Sequence, residues 1–576
     1  MVVGTVAQPA ESEAAYDRRQ RLALPVAVAF GLAGVVYRLV LLLHEVPPAN
    51  SDEATSGLVA MHVAQGREFP LFFYGQHYMG ALESYLAAPL FAVFGPSTLA
   101  LRLPNLLLYA AFLALAWQLA RRLYTPWLAT VTVGLLAFGS DRVLKNQLVT
   151  AGGYPEMNPA GVLLALLAVN LGLARWAGRR RLVAYAGFGL VAGLTLWDDW
   201  LVLPYVGAAG LLLLVVGRRE LTGRAGLALG GGLLVGLVPI VAHNLTAAPE
   251  NRSLASYTTL GGEPGASWPD RLHGGILFGL PMGTGFCAPG RCAPWQLWWG
   301  VAGPILLVVA GVLAVGALRA ASGVERVRQG GRLVLVVGAA LSLIAYATSS
   351  VAANTRVESA RYLSCLLISF PALLWPLWSA ATAASRSRRP TVWSHRPTAW
   401  SHRPTAWSHR PAPEPGERVS WAGQVRRAGW LPWPARGLLA ALAASLAVAT
   451  GQLVTRVPEL GRVADQRREL VAALDRLGVN RFYGEYWTCN DITFQTRERL
   501  VCAVIRDDLR AGWDRYPPYR EAVGRAGRPA YVLPAGTALS AAVAAYLAGT
   551  GVPVSSTSVA GYDIYHPATR VDLPRR

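Results

Sequence analysis

The chain has 576 residues, of which 53% are hydrophobic and only 15% charged, against about a quarter charged in an ordinary soluble domain. Mean hydropathy is +0.34, and many apolar runs approach or exceed the ~20 residues that cross a bilayer. The formal net charge of +20 does not point to nucleic acid. Lys145 is the only lysine, and the arginines gather between apolar runs on one side, the bias that membrane insertion produces. An arginine-rich, lysine-poor chain of this kind fits a bacterium with a GC-rich genome.

In chain order, residues 1–21 are polar, end in DRRQR and form a cytoplasmic segment with no cleavable signal peptide. Apolar runs then predict spans over about 22–43, 99–120, 126–140, 158–176, 182–197, 201–217, 225–243, 297–318, 333–350, 362–380 and 437–456. Arginine clusters fall at every second connection. Eleven spans with the N-terminus inside and the C-terminus outside are therefore self-consistent, giving a multi-pass plasma-membrane protein with a transmembrane domain over 22–456.

Two connections stand apart. The inside segment 381–436 carries a tandem heptad, TVWSHRP, TAWSHRP, TAWSHRP. Its prolines forbid a continuous helix, and it reads as a disordered basic linker. The first outer connection, 44–98, is the polar centre of the chain. Asp52 and Glu53 follow Ser51 just beyond the first span. The bland reading makes Ser51 a helix cap with two acids against the dipole. The chemical reading lets these carboxylates take a proton from an acceptor hydroxyl or, with Glu83, hold a divalent cation such as Mg or Mn, although no ligand spacing demands a metal.

Downstream, FFYGQHYMGALESYLAAPLFAVFG is too polar at its start for a span and reads as an interfacial or re-entrant helix. It puts Glu83 at the membrane surface and offers Gln76, His77 and Tyr78 to a sugar or phosphate. Arg38 near the end of the first span, Arg102 opening the second and Arg361 opening the tenth share one predicted depth. Guanidinium forks converging there suit a lipid phosphate. WDDW, with Asp198 and Asp199, reads as a solvated turn.

The tail, 457–576, alternates helical and strand patterns and predicts a small extracytoplasmic α/β domain without an obvious catalytic cluster. Its strands are read in RFYGEYW, RLVCAVI, YVLPAG and VPVSSTSVA, with a helix in TALSAAVAAYLAG. Cys287 and Cys292, five residues apart in a Gly/Pro loop, are a disulfide candidate, as are Cys489 and Cys502. All four lie outside the cytoplasm in this topology, where disulfides persist. Cys365, in an apolar run, reads as packing.

The acidic pair after the first span, LESYLAAPLFAVFG, LALRLPN at the next span and ESARYL at the tenth together resemble the protein O-mannosyltransferase and aminoarabinose transferase group of GT-C glycosyltransferases, family 39. The resemblance is clearest over about 22–125. It implies a polytopic α-helical GT-C fold and a membrane enzyme that moves a hexose or pentose from a polyprenyl-phosphate donor to a protein, glycan or lipid acceptor. It implies Asp52 as general base, Glu53 in support, Arg102, with Arg38 and Arg361, on the donor phosphate, and Glu83 as a second acidic site residue. Two other classes fit the spans: a lipid-linked sugar or polymer transporter, and a non-catalytic assembly subunit of an envelope glycan system. A transporter would place functional polar groups near the bilayer midplane, often in an internal repeat; the polar groups here gather at one face.

Overall fold

The computed structural model describes residues 13–259, 264–386 and 432–572. The WSHRP repeats lie outside the described residues. Helix α1 (Glu13–Leu43) is followed by two shorter helices, α2 (Ser51–Ala64) and α3 (Leu82–Phe94), which stand between it and α4 (Thr98–Leu123). The cap of α2 is Asn50, whose Oδ1 accepts the Glu53 amide at 2.9 Å. Ser51, expected to cap, is already helical, and its buried hydroxyl has no partner among the described residues.

The expected third span is not one rod. It divides into α5 (Pro126–Leu136) and α6 (Asp141–Leu148), which meet at a bend of 95°. Thr125 caps α5 with Pro126 at its first position, and Asp141 opens α6. The sequence DRVLKNQL carries four basic or amide side chains, of which Asn146 and Gln147 are buried with Val143, Leu144 and Leu148.

The bundle continues through α7 (Tyr154–Gly172), α8 (Gly178–Asp198), α9 (Leu203–Gly217), α10 (Arg224–Thr246), α11 (Trp298–Ala320) and α12 (Gly323–Thr348). It ends with α13 (Phe370–Arg386), preceded by a tighter helical stretch, Ala360–Ser369, and α14 (Pro432–Val454). Among the described residues, eight helices are long and apolar enough to span a membrane, or nine with the bent pair counted as one. The remaining two expected spans are α7 and α8. Both are helical, but Glu156 and Asn158 in one and Arg179–Arg181 and Asp198 in the other dilute their apolar character.

Helices α8 and α10 pack backbone to backbone. A Cβ on Gly189 would lie 2.0 Å from the Leu229 carbonyl, and one on Gly232 would lie 2.1 Å from that of Ala186. Gly189 with Gly193 and Gly232 with Gly236 repeat at four-residue spacing, the small-residue pattern that lets membrane helices approach closely.

After α15 (Val457–Arg476) the chain builds a five-stranded sheet: β1 (Arg481–Gly484), β2 (Val501–Val504), β3 (Ala530–Pro534), β4 (Val554–Val559) and β5 (Tyr562–Pro567). The order is β2-β1-β3-β5-β4, with β1 parallel to β2 and β3 and the β4–β5 hairpin antiparallel. The second half of RFYGEYW is not strand: it opens α16 (Tyr486–Gln495). Helices α17 (Pro517–Gly524) and α18 (Ala538–Gly549) complete the layer. This domain shares a core with the membrane part. Ala54, Leu58 and Met61 of α2 and Phe91 of α3 are buried with Phe494, Tyr519 and Val523. Cys287–Cys292 and Cys489–Cys502 are disulfides, and Cys365 is free and buried.

Candidate active site

Adjacent helical residues point about 100° apart, so the acidic pair of α2 cannot act on one target. Glu53 turns into the bundle. Its two oxygens accept Nε and Nη2 of Arg102, both at 2.6 Å, and Arg102 Nη1 donates to the Pro47 carbonyl at 2.7 Å. Both side chains are 1% exposed. This corrects two expectations. Glu53 does not stand beside Asp52 in support, and the Arg102 fork is filled by a carboxylate rather than left open for phosphate.

Arg38 is likewise committed. Its Nε and Nη2 donate to Gln147 Oε1 at 3.0 and 2.7 Å, and its Nη1 donates to the carbonyls of Gly34 and Ala137. The guanidinium lies 3.8 Å over the Tyr109 ring. These contacts satisfy a buried cation inside the bundle and leave it nothing with which to meet a headgroup.

Asp52 faces the other way and is 21% exposed. Its Oδ1 accepts Nη2 of Arg515 at 2.8 Å and the hydroxyl of Tyr486. Both partners belong to the C-terminal domain, which the sequence had left without a role. Among the described residues no hydrogen bond reaches Asp52 Oδ2. Arg515 also donates Nη1 to Gln76 Oε1 at 3.0 Å, and Gln76 Nε2 donates to the Tyr78 hydroxyl at 2.7 Å. Tyr78 meets Tyr257 edge to face. His77 turns to stack on His243 at 4.9 Å, and burial followed by the neighbouring His243 pulls its imidazole below the usual range.

Three cations belong to one electrostatic cluster with Asp52. Arg142 and Lys145 come from α6, and Arg361 from the stretch after Ala360. Each acts electrostatically on its neighbours, and Asp52 acts on both Lys145 and Arg361. Arg361 lies over the rings of Tyr154 and Tyr362 at 5.2 and 5.6 Å, with a buried Nε that has no hydrogen-bond partner among the described residues. Arg142 Nη2 donates to the Val357 carbonyl, and its buried Nε likewise has no partner among the described residues. Among the described residues none of the three has a carboxylate as ion-pair partner. Of the three expected arginines, only Arg361 keeps a buried nitrogen without a hydrogen-bond partner among the described residues. Lys145 and Arg142 were missed, although a lone lysine in an arginine chain was a visible signal.

Glu83 does not face the membrane surface. It is 3% exposed, and its oxygens accept the amides of Gly152 and Gly153 at 3.0 and 3.1 Å. Those glycines sit at φ of 89° and 87°, the left-handed region. A side chain at Gly153 would also run into Asp199. Burial pushes the Glu83 carboxyl up, and it shares its surroundings with Glu156. Asp198, expected in a solvated turn, is buried, and Asp199 caps the next turn by accepting the Leu201 amide at 2.8 Å. Among the described residues no three His, Cys, Asp or Glu side chains gather as metal ligands. With Asp52 Oδ1 held by Arg515 and Glu83 by two amides, these two do not form the cation site that was entertained for them.

Two crystal structures of ArnT from Cupriavidus metallidurans match most of the chain. The apo form matches at TM-score 0.52 and 15% identity, covering 93% of this chain and 97% of that one. The form bound to undecaprenyl phosphate matches at TM-score 0.54 and 14% identity, covering 96% and 98%. The chain has the GT-C fold. No family model matches the sequence, and neither does any curated protein. The shared architecture therefore reaches across a sequence divergence that leaves site residues to be argued from this chain's own geometry.

Proposed function

We propose that this protein is a membrane glycosyltransferase that takes a hexose or pentose from a polyprenyl-phosphate donor and passes it, with inversion, to an acceptor hydroxyl at the extracytoplasmic face. The observation that carries the reading is Asp52, one oxygen held by Arg515 and Tyr486, in one electrostatic cluster with three cations that, among the described residues, have no carboxylate ion-pair partner. The ArnT structure bound to undecaprenyl phosphate supports the donor class.

In this reading Lys145, Arg142 and Arg361 hold the donor phosphate, replacing Arg102 and Arg38 in that role. The acceptor oxygen attacks the anomeric carbon as Asp52 Oδ2 takes its proton. The bond from that carbon to the phosphate oxygen breaks, its electron pair stays with the phosphate, and polyprenyl phosphate leaves. Positioned cations that meet charge as it develops contribute a few kcal/mol, and a placed general base about 10²–10⁴-fold. Tyr78, Gln76 and His77 line the approach. The layout follows: a short cytoplasmic N-terminus, the acidic connection 44–98 and the tail 457–576 outside, and the basic linker 381–436 inside, in the plasma membrane.

The test is turnover of radiolabelled polyprenyl-phosphate sugars by membranes bearing wild type or Asp52→Asn. Wild type releases polyprenyl phosphate and labels an acceptor with inverted anomeric configuration, and Asp52→Asn at equal expression does neither. Equal turnover by the two would leave Asp52 with no part in the chemistry.

A further inference from the structure

The carboxyl ends of parallel strands are where open α/β sheets place their ligands, because successive connections splay apart there. In the C-terminal domain two such ends face the membrane part. Strand β1 ends at Gly484, and Tyr486 opens the helix that follows. Strand β2 ends at Val504, and its connection to α17 carries Trp513 and Arg515.

Arg515 is only 6% exposed. Its guanidinium lies over the rings of Trp513 at 4.2 Å and Phe73 at 4.4 Å. Its donors are all aimed: Nη2 at Asp52, Nη1 at Gln76 and the Tyr74 carbonyl, Nε at the Tyr486 hydroxyl. Tyr486 relays that hydroxyl to the same Asp52 Oδ1 and packs parallel to Trp513. One oxygen of the carboxylate thus has two donors on it, which fixes the carboxylate plane and leaves Oδ2 as the open acceptor.

We infer that Arg515 and Tyr486 are positioning residues for Asp52, so that the C-terminal domain completes the active site of the membrane domain in the same chain. The inference rests on the transferase reading above. Docking alone does not need this contact. His62 and Arg67 already hold Glu498, and Arg467 bonds the Ala49 carbonyl and pairs with Asp491 at 2.6 Å. These clamps stay in place when Arg515 or Tyr486 is changed.

The experiment uses the full chain in nanodiscs with undecaprenyl-phosphate-linked mannose, glucose and arabinose as donors and a detergent extract of bacterial envelope as the source of acceptor, and measures kcat and donor KM from undecaprenyl phosphate release. Tyr486→Phe keeps the ring and removes the hydroxyl; its kcat falls about tenfold with donor KM within about twofold, the loss of one oriented hydrogen bond. Arg515→Ala loses about 100-fold in kcat, the scale set by a misplaced catalytic group. Added guanidinium ion restores part of that loss, and Arg515→Lys restores less than guanidinium because its ammonium lacks the fork. A merely structural arginine gives a different pattern: activity falls in step with thermal stability and guanidinium recovers nothing. That pattern, or an undiminished kcat in Tyr486→Phe and Arg515→Ala beside an active wild type, overturns the positioning role alone. A wild type that turns over no donor overturns the transferase reading, and this inference with it.

Discussion

Arg102 separates two accounts of this protein sharply, because a phosphate ligand and a structural clamp respond differently to its removal. In the structure Arg102 and Glu53 are each 1% exposed and joined by two hydrogen bonds of 2.6 Å. Arg102→Met leaves the Glu53 carboxylate buried without its cation, which costs about 3–5 kcal/mol. The Pro47 carbonyl also loses a donor. At about 2–4 °C per kcal/mol for a cooperative unit of about 150–250 residues, 4 kcal/mol becomes a fall in Tm of about 8–16 °C. The assay is thermal unfolding in detergent followed by intrinsic tryptophan fluorescence. The double variant Glu53→Leu with Arg102→Met removes both charges, and it recovers most of the loss because no orphan charge remains. The clamp account is refuted if Arg102→Met melts within about 2 °C of wild type while binding of polyprenyl phosphate is lost. That pairing of results would mean that the ion pair opens to receive the donor.

Three further outcomes are expected. Lys145→Met and Arg361→Gln each weaken undecaprenyl phosphate binding by about 10- to 100-fold, the scale of a charged hydrogen bond. Neither lowers the Tm of the unliganded protein, since each removes one of three mutually repelling cations; titration calorimetry and melting on the same samples check both halves. Burial raises Glu498, but hydrogen bonds from His62, Arg67 and Tyr519 outweigh it and hold the carboxyl at about 2, below its ordinary 4.5. A depressed acid stabilises the fold above its unfolded value and loses that contribution as pH falls toward the folded one. Glu498→Gln is therefore less stable than wild type at pH 7, and the gap closes as pH drops below about 4.5. A gap that stays constant from pH 7 to pH 3 counts against the clamp. Finally, Gly189→Val puts a side chain where the Leu229 carbonyl lies 2.0 Å from an added Cβ. Helices α8 and α10 must separate, and size exclusion shows loss of the monodisperse species, whereas Gly187→Ala, with open space around it, leaves the profile unchanged.

The membrane architecture was legible because its signal is local. Long apolar runs ending in arginine announce spans whatever they pack against, and each of the eleven expected segments is helical. The departures are equally physical. The third span was read as straight because apolar character alone does not record the break between Leu136 and Asp141, where the chain turns by 95°. The re-entrant reading of the acidic connection placed α3 correctly as a short helix but turned Glu83 outward. Its real partners, the amides of Gly152 and Gly153, lie 69 and 70 residues further along.

The site residues show where reading from sequence stops. Arg38, Arg102 and Arg361 look alike in sequence: each is an arginine at the margin of an apolar run. The difference lies in what the fold brings to them. Gln147 comes to Arg38 across 109 residues and Glu53 to Arg102 across 49, whereas no carboxylate pairs with Arg361 among the described residues. Asp52 is the converse case. Its place after the first span made it a candidate, but its geometry depends on Arg515, 463 residues away in the connection just before α17, which has no pattern of its own. Only Lys145 left a trace. In a chain that otherwise carries its positive charge on arginine, the single ammonium lies on α6, three residues after Arg142. A compact point charge suits a phosphate oxygen that moves as the sugar leaves, where a fixed fork would hold one geometry. Lys145→Arg therefore tests more than charge: it keeps the cation, and it lowers kcat while leaving the affinity for undecaprenyl phosphate near that of wild type.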